Sequence, residues 1–161
     1  MDPVDAQLFN LLQEDCSRSL ADLGKRVGLS LSAVNERLKK LRGRGDVRAY
    51  VALINPRTVG YTTCAFIQVA VEGTANERKF VGAVLKLPEI EECHHITGEF
   101  PYLIKMWARD IEHVELLDGR IKSLAGVVRT HTSIVLSSAK DQVTGLAIAP
   151  QAAEGPQPRK R

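Results

Sequence analysis

The chain has 161 residues, 44% of them hydrophobic and 25% charged, and a net charge of +3; this is the balance of an ordinary globular protein and excludes a disordered or fibrous one. No apolar run approaches the roughly 20 residues that span a bilayer, and Asp2 and Asp5 stand where a leader would be basic and then apolar, so a cytoplasmic address without a membrane partner is expected. Cys16, Cys64 and Cys93 are odd in number and widely spaced, which argues against a disulfide framework or a structural zinc site; they read as small buried hydrophobes, and no metal, cofactor or catalytic residue is expected.

Val4, Leu8, Leu11 and Leu12 recur at helical spacing and predict a helix over about 5–15. Ser19 caps a second helix, with Asp22 three residues on, Leu20, Leu23 and Val27 as the buried stripe and Gly28 as the stop. Ser30 caps a third, over about 31–42, whose Val34, Leu38 and Leu41 face inward. The tight turn Gly28-Leu29-Ser30 between the last two makes a helix-turn-helix, which lays its final helix in the major groove of duplex DNA. Gly24 agrees with this, because the third helix crosses closely there and a larger side chain would hold the two apart.

Between Asn35 and Arg48, the cations Arg37, Lys39, Lys40, Arg42, Arg44 and Arg48 face only Glu36 and Asp46. A cluster of that kind suits phosphates, whereas short polar groups at the start of the helix reach base edges. The candidate DNA-contacting set is Ser30, Ser32, Ala33, Asn35, Glu36, Arg37, Lys39, Lys40, Arg42 and Arg44. Within it, Ser32 and Asn35 are assigned to bases and Lys39, Lys40 and Arg42 to phosphates. The competing reading is a solvated helix face.

From Val47 to Ile54 apolar residues alternate and predict a strand, stopped by Asn55-Pro56. Strands over 64–71, 90–97, 102–108 and 127–136 then alternate with helices over 75–87 (Phe80, Val84 and Leu87 inward) and 111–124 (Val114, Leu117, Ile121 and Leu124 inward). The order β-α-β-β-α-β is that of a ferredoxin-like antiparallel sheet with two helices on one face. The fold class is therefore α+β: a three-helix, winged helix-turn-helix followed by a ferredoxin-like domain. The domains read as 1–45, a connector over 46–63, the sheet domain over 64–140, and an extension over 141–161. In that extension, Val143–Ile148 reads as an edge strand and the residues from 150 on as disordered. Ala65, Ile67, Val69 and Val71 on one side of a strand and Phe66 and Ala70 on the other call for cover on both faces, and a second copy is the simplest cover.

Several segments resemble the leucine-responsive and asparagine-responsive (Lrp/AsnC, feast/famine) regulators. They are Leu12-Gln13-Glu14-Asp15, Leu23 to Ser30, Glu36 to Leu41, Tyr50 to Pro56, and Glu92 to Leu103, the last including Thr97-Gly98-Glu99-Phe100-Pro101-Tyr102. The resemblance implies a DNA-binding regulator that dimerises through its sheets and assembles further, to tetramers or octamers. It also implies an amino acid or similar small effector bound between dimers, near the loop from Thr97 to Tyr102. Read chemically, Gly98 lets backbone approach a ligand and Glu99 can hold an ammonium, although a plain hairpin turn explains the same residues. The resemblance adds Thr130 and Thr132 from the last strand, so the effector set is Thr97, Gly98, Glu99, Pro101, Tyr102, Thr130 and Thr132. Family members frequently carry an acidic residue at Pro101, which argues against leucine as effector.

Siroheme decarboxylase subunits look similar to this regulator family and use histidines, so Cys93-His94-His95 invites an enzymatic reading. Neighbouring strand residues point to opposite faces, however, so His94 and His95 are not expected to converge.

Overall fold

The computed structural model describes residues 1–140; the expected edge strand over 143–148 and the tail from 150 lie outside the described residues. These fall into two compact units, residues 1–52 and 53–140. Among them no helix is long and apolar enough to cross a membrane.

The first unit is three helices, α1 (Pro3–Glu14), α2 (Leu20–Val27) and α3 (Leu31–Gly43). Each starts on a side-chain oxygen that accepts a backbone N–H: Asp2 from Val4, Ser19 from Asp22, Ser30 from Ala33. α1 begins earlier than its apolar spacing predicts because Asp2 caps it and Pro3, which has no N–H to satisfy, opens its first turn. Leu8, Leu23, Val34, Leu38 and Leu41 form the core. Each leucine fully withdrawn from water contributes roughly 2 kcal/mol.

The turn between α2 and α3 depends on a close approach. A Cβ placed on Gly24 would lie 2.6 Å from the Leu29 carbonyl oxygen, and the Leu29 N–H donates to the Gly24 carbonyl at 2.9 Å. Gly28 ends α2 at φ +69°, where a side chain would be strained.

The expected strand over Val47–Ile54 forms no ladder in the chain. Val51, Leu53 and Ile54 are exposed at 66%, 67% and 64%. Period-two spacing sets which way side chains point but does not supply a partner, and no described strand pairs with this segment. The backbone then turns through a short 3-10 helix, Pro56–Val59, capped by Asn55.

The second unit comprises β1 (Thr63–Val71), α4 (Thr74–Val84), β2 (Ile90–His95), β3 (Tyr102–Ala108), α5 (Ile111–Lys122) and β4 (Val127–Ile134). The sheet order is β2-β3-β1-β4, with antiparallel neighbours throughout, and both helices lie against one face. There Ile67, Val69, Ile104, Met106, Phe80, Val84, Leu117 and Ile121 make a dry core. α4 stops at Val84, short of the predicted Leu87, because Leu87 precedes Pro88 and that position disfavours helix; the last turn tightens through Lys86 N–H to Ala83 O and Leu87 N–H to Val84 O. α5 closes in the same way, through Leu124 N–H to Ile121 O. The cysteines are not all buried: Cys64 is buried, Cys93 is half-buried, and Cys16, in the turn after α1, is exposed.

Gly24→Ala should destabilise the helical unit by about 2–3 kcal/mol, the cost of forcing atoms into filled space. Urea unfolding followed by far-ultraviolet circular dichroism should show an earlier loss of helix signal, and an unchanged midpoint would refute the close approach.

Candidate nucleic-acid interface and effector loop

With Val34, Leu38 and Leu41 turned inward, α3 presents Ser32, Glu36, Lys39 and Lys40 outward, all exposed. Ser30 is occupied as the cap and lies 3.1 Å from the Ser32 hydroxyl. Lys39 pairs with Glu36 at 2.9 Å, Arg42 lies over the Tyr50 ring at 5.5 Å, and Arg44 pairs with Asp46 at 2.8 Å. Surface pairs of this kind are worth little and exchange readily for phosphate. Ala33 is exposed and Asn35 half-buried. Leu31, at the start of α3, is an apolar side chain left 54% exposed beside these polar groups.

Arg37 stands apart from this set. It lies three residues after Val34 and four before Leu41, on the inward side of α3, and its Nη1 reaches Asp5 at 2.7 Å and Asp2 at 2.6 Å. The hydrogen bonds it donates to these carboxylates, that to Asp5 first, push the guanidinium pKa still higher. The Arg37 hydrogen bond, followed by the Val4 N–H, holds Asp2 below the usual 3.8.

In the second unit the loop between β2 and β3 closes through Ile96 N–H to Pro101 O at 2.7 Å. Gly98 has φ +123°, a conformation that favours glycine. Glu99 pairs with Arg129 of β4, the Arg129 guanidinium lies 4.6 Å over the Phe100 ring, and Phe100 faces His131 at 6.4 Å. The expected effector set is not brought together on one face. Tyr102 and Thr130 both pair with Val69, so they share its helix-covered side. Tyr102 is 6% exposed, its ring lying 4.9 Å from Phe80 and 5.1 Å from His95, and burial pushes its phenol up. Thr130 and Thr132 both donate to Asp118 of α5, at 3.3 and 2.9 Å. Thr97, Gly98, Glu99 and Pro101 belong to the loop, and Glu99 engages Arg129, which leaves β4 on the side opposite Thr130.

Asp5, Asp118 and Arg129 were missed by the sequence reading. Asp5 precedes Leu8 by three, and Asp118 follows Val114 by four and precedes Ile121 by three, so both carboxylates sit on core-facing stripes. An acidic residue in such a position signals a partner inside.

The sheet face without helices carries Phe66, Leu103 and Trp107, all half-buried. Lys105 lies on it between Glu91 at 2.7 Å and Glu92 at 3.5 Å. His94 is on this face, opposite Leu103 and 2.9 Å from Glu92, while His95 lies opposite Tyr102 on the other. The two histidines therefore do not converge.

The AsnC-type helix-turn-helix domain matches residues 1–42, and the Lrp/AsnC ligand binding domain matches residues 64–144. The chain is 37% identical over 144 residues to the proline dehydrogenase transcriptional activator of Rhizobium radiobacter, covering 88% of this chain and 92% of that one. It is 35% identical over 143 residues to the leucine-responsive regulatory protein of Escherichia coli K12, covering 87% of each. Among solved structures, a transcriptional regulator of Neisseria meningitidis in complex with L-Met superposes with a TM-score of 0.85 at 32% identity, over 91% of this chain and 96% of that one. The chain belongs to the Lrp/AsnC family of transcriptional regulators, joining an AsnC-type helix-turn-helix domain to an Lrp/AsnC ligand-binding domain.

Proposed function

We propose that α3 reads duplex DNA, with Ser32 and Asn35 at base edges and Lys39, Lys40 and Arg42 at flanking phosphates, and that a small amino acid bound to the second unit shifts the assembly and with it the DNA affinity. The observation that carries this is the division of α3 into an apolar inner stripe and an exposed, polar and basic outer face. Such a helix docks by charge and reads by its short polar groups. The proposed location is the cytoplasm.

Self-association supports the reading in a second way. Phe66, Leu103 and Trp107 lie on a sheet face that no helix of the unit covers, and apolar surface of that kind gains from burial against another copy. The proposed unit is a homodimer through this face, assembling further to a tetramer or octamer. An amino acid is the proposed effector because the matched ligand-binding domain has a relative in complex with L-Met, and the Thr97–Pro101 loop offers backbone N–H groups and a carboxylate to a zwitterion. The divergence of His94 and His95 favours a regulator over an enzyme.

Lys40→Glu should weaken binding to all duplexes and flatten the dependence on salt, since a lost phosphate contact lowers that slope by about 1; unchanged affinity in a salt titration would remove this face from the interface. Asn35→Ala should instead change the sequence recovered from a random duplex pool, and recovery of the same site would take Asn35 out of the reading set. Phe66→Glu should reduce the mass measured by sedimentation to that of one chain, and an intact oligomer would place the contact elsewhere. Titration with the standard amino acids should find at least one that changes operator affinity by about fivefold or more, the scale of ordinary coupling; no response to any would make the chain effector-independent.

A further inference from the structure

Among the described residues, Asp5 is the one buried charged side chain, 8% exposed. A carboxylate withdrawn from water needs cationic or hydrogen-bonding partners. It has two cations, Arg37 with Nη1 at 2.7 Å and Arg44 with Nη2 at 3.7 Å. The same Arg37 nitrogen lies 2.6 Å from Asp2. Asp2 and Asp5 belong to the cap and first turn of α1, and Arg37 to the middle of α3. The cluster therefore ties the start of one helix to the centre of the other, along a hollow of about 770 Å³ that Lys40 also lines.

We infer that Arg37 is a positioning residue for DNA reading: Asp5 and Asp2 hold its guanidinium against α1 and so fix the rotation of α3, and Arg37 acts through the placement of Ser32, Asn35 and Lys40 with no phosphate contact of its own. The inference rests on the DNA-reading role proposed above. Three observations favour it over a direct contact. Arg37 lies between Val34 and Leu41 on the inward side; its side chain is 31% exposed, against 64% for Lys39; and its charge is already matched by two carboxylates, both on Nη1. An arginine suits this task because its rigid fork sets direction as well as charge.

The chemistry makes an opposite prediction for each reading. Asp5→Asn removes a negative charge beside a DNA-binding helix. On charge alone it strengthens DNA binding, whereas loss of positioning weakens it. Full-length protein with Asp5→Asn, Asp2→Asn or Arg37→Ala should be titrated with a duplex recovered by the wild type from a random pool, over a range of salt, at a temperature where circular dichroism shows each variant folded. Asn is itself a good helix cap, so Asp2→Asn isolates the ion pair, and its exposed position keeps it testable if the other two fail to fold. We expect each variant to bind roughly tenfold more weakly, the scale of coupled contacts, with the salt slope of the wild type retained. A slope lowered by about 1 in Arg37→Ala, or binding by the Asn variants as tight as or tighter than the wild type, overturns the inference. If the wild type recovers no duplex, or Lys40→Glu binds as well as the wild type, it is the DNA-reading role that fails.

Discussion

The helical unit depends on one approach of backbone to backbone, Gly24 of α2 against the carbonyl of Leu29, where even a methyl group would sit at 2.6 Å. The distance between the last two helices follows from that contact, and the other features follow from the distance. Gly28 turns the chain at φ +69° within the available span, the Ser30 hydroxyl accepts the otherwise free N–H of Ala33 at the start of α3, and Val34 and Leu38 come close enough to Leu8 and Leu23 to close a core from few residues. So small a core has little stability to spare. A buried Asp5 within it is therefore a specific arrangement, held because Arg37 and Arg44 neutralise it.

α3 consequently has three sides with three tasks. One is apolar and holds it to the unit. A second, carrying Arg37, is tied by charge to the start of α1. The third, with Ser32, Lys39 and Lys40, is exposed to solvent. Residue type alone does not distinguish the second side from the third, since both carry cations on one short helix. What separates them is the acidic pair Asp2 and Asp5, more than 30 residues earlier in the chain. Sequence periodicity gives the inner stripe and the charge count gives the outer face, but the destination of each arginine depends on a tertiary contact that no local pattern contains.

The same distinction explains what was legible elsewhere. The β-α-β-β-α-β order and the inward Phe80, Val84, Val114, Leu117 and Ile121 follow from local spacing, and the structure has them. The segment Val47–Ile54 has strand spacing without a strand, because pairing is a property of two strands and no described strand pairs with this one. Helix ends moved by a turn where Pro88 and the carbonyls of Ala83 and Ile121 decided them. Residue type alone points Cys16 to the core, yet it lies exposed in a turn outside the apolar stripe of α1. Thr130 and Thr132 look like free polar groups until Asp118 is seen to take both hydroxyls.

That last contact constrains how the second unit can hold an effector. In one protomer the loop residues Glu99 and Phe100 reach the side of β4 that carries Arg129 and His131, while Thr130 and Thr132 face α5 on the other side. Successive strand residues cannot be brought to one face without breaking the ladder with β1. A small zwitterion touching both groups within one protomer would thus need the sheet itself to yield. Two copies remove the difficulty, because the loop of one can then meet the strand of another while each sheet stays intact. The geometry of the monomer thereby links the two halves of the proposed function: a ligand that completes its contacts only between copies binds one arrangement of copies better than others, and that difference in affinity is what shifts a population.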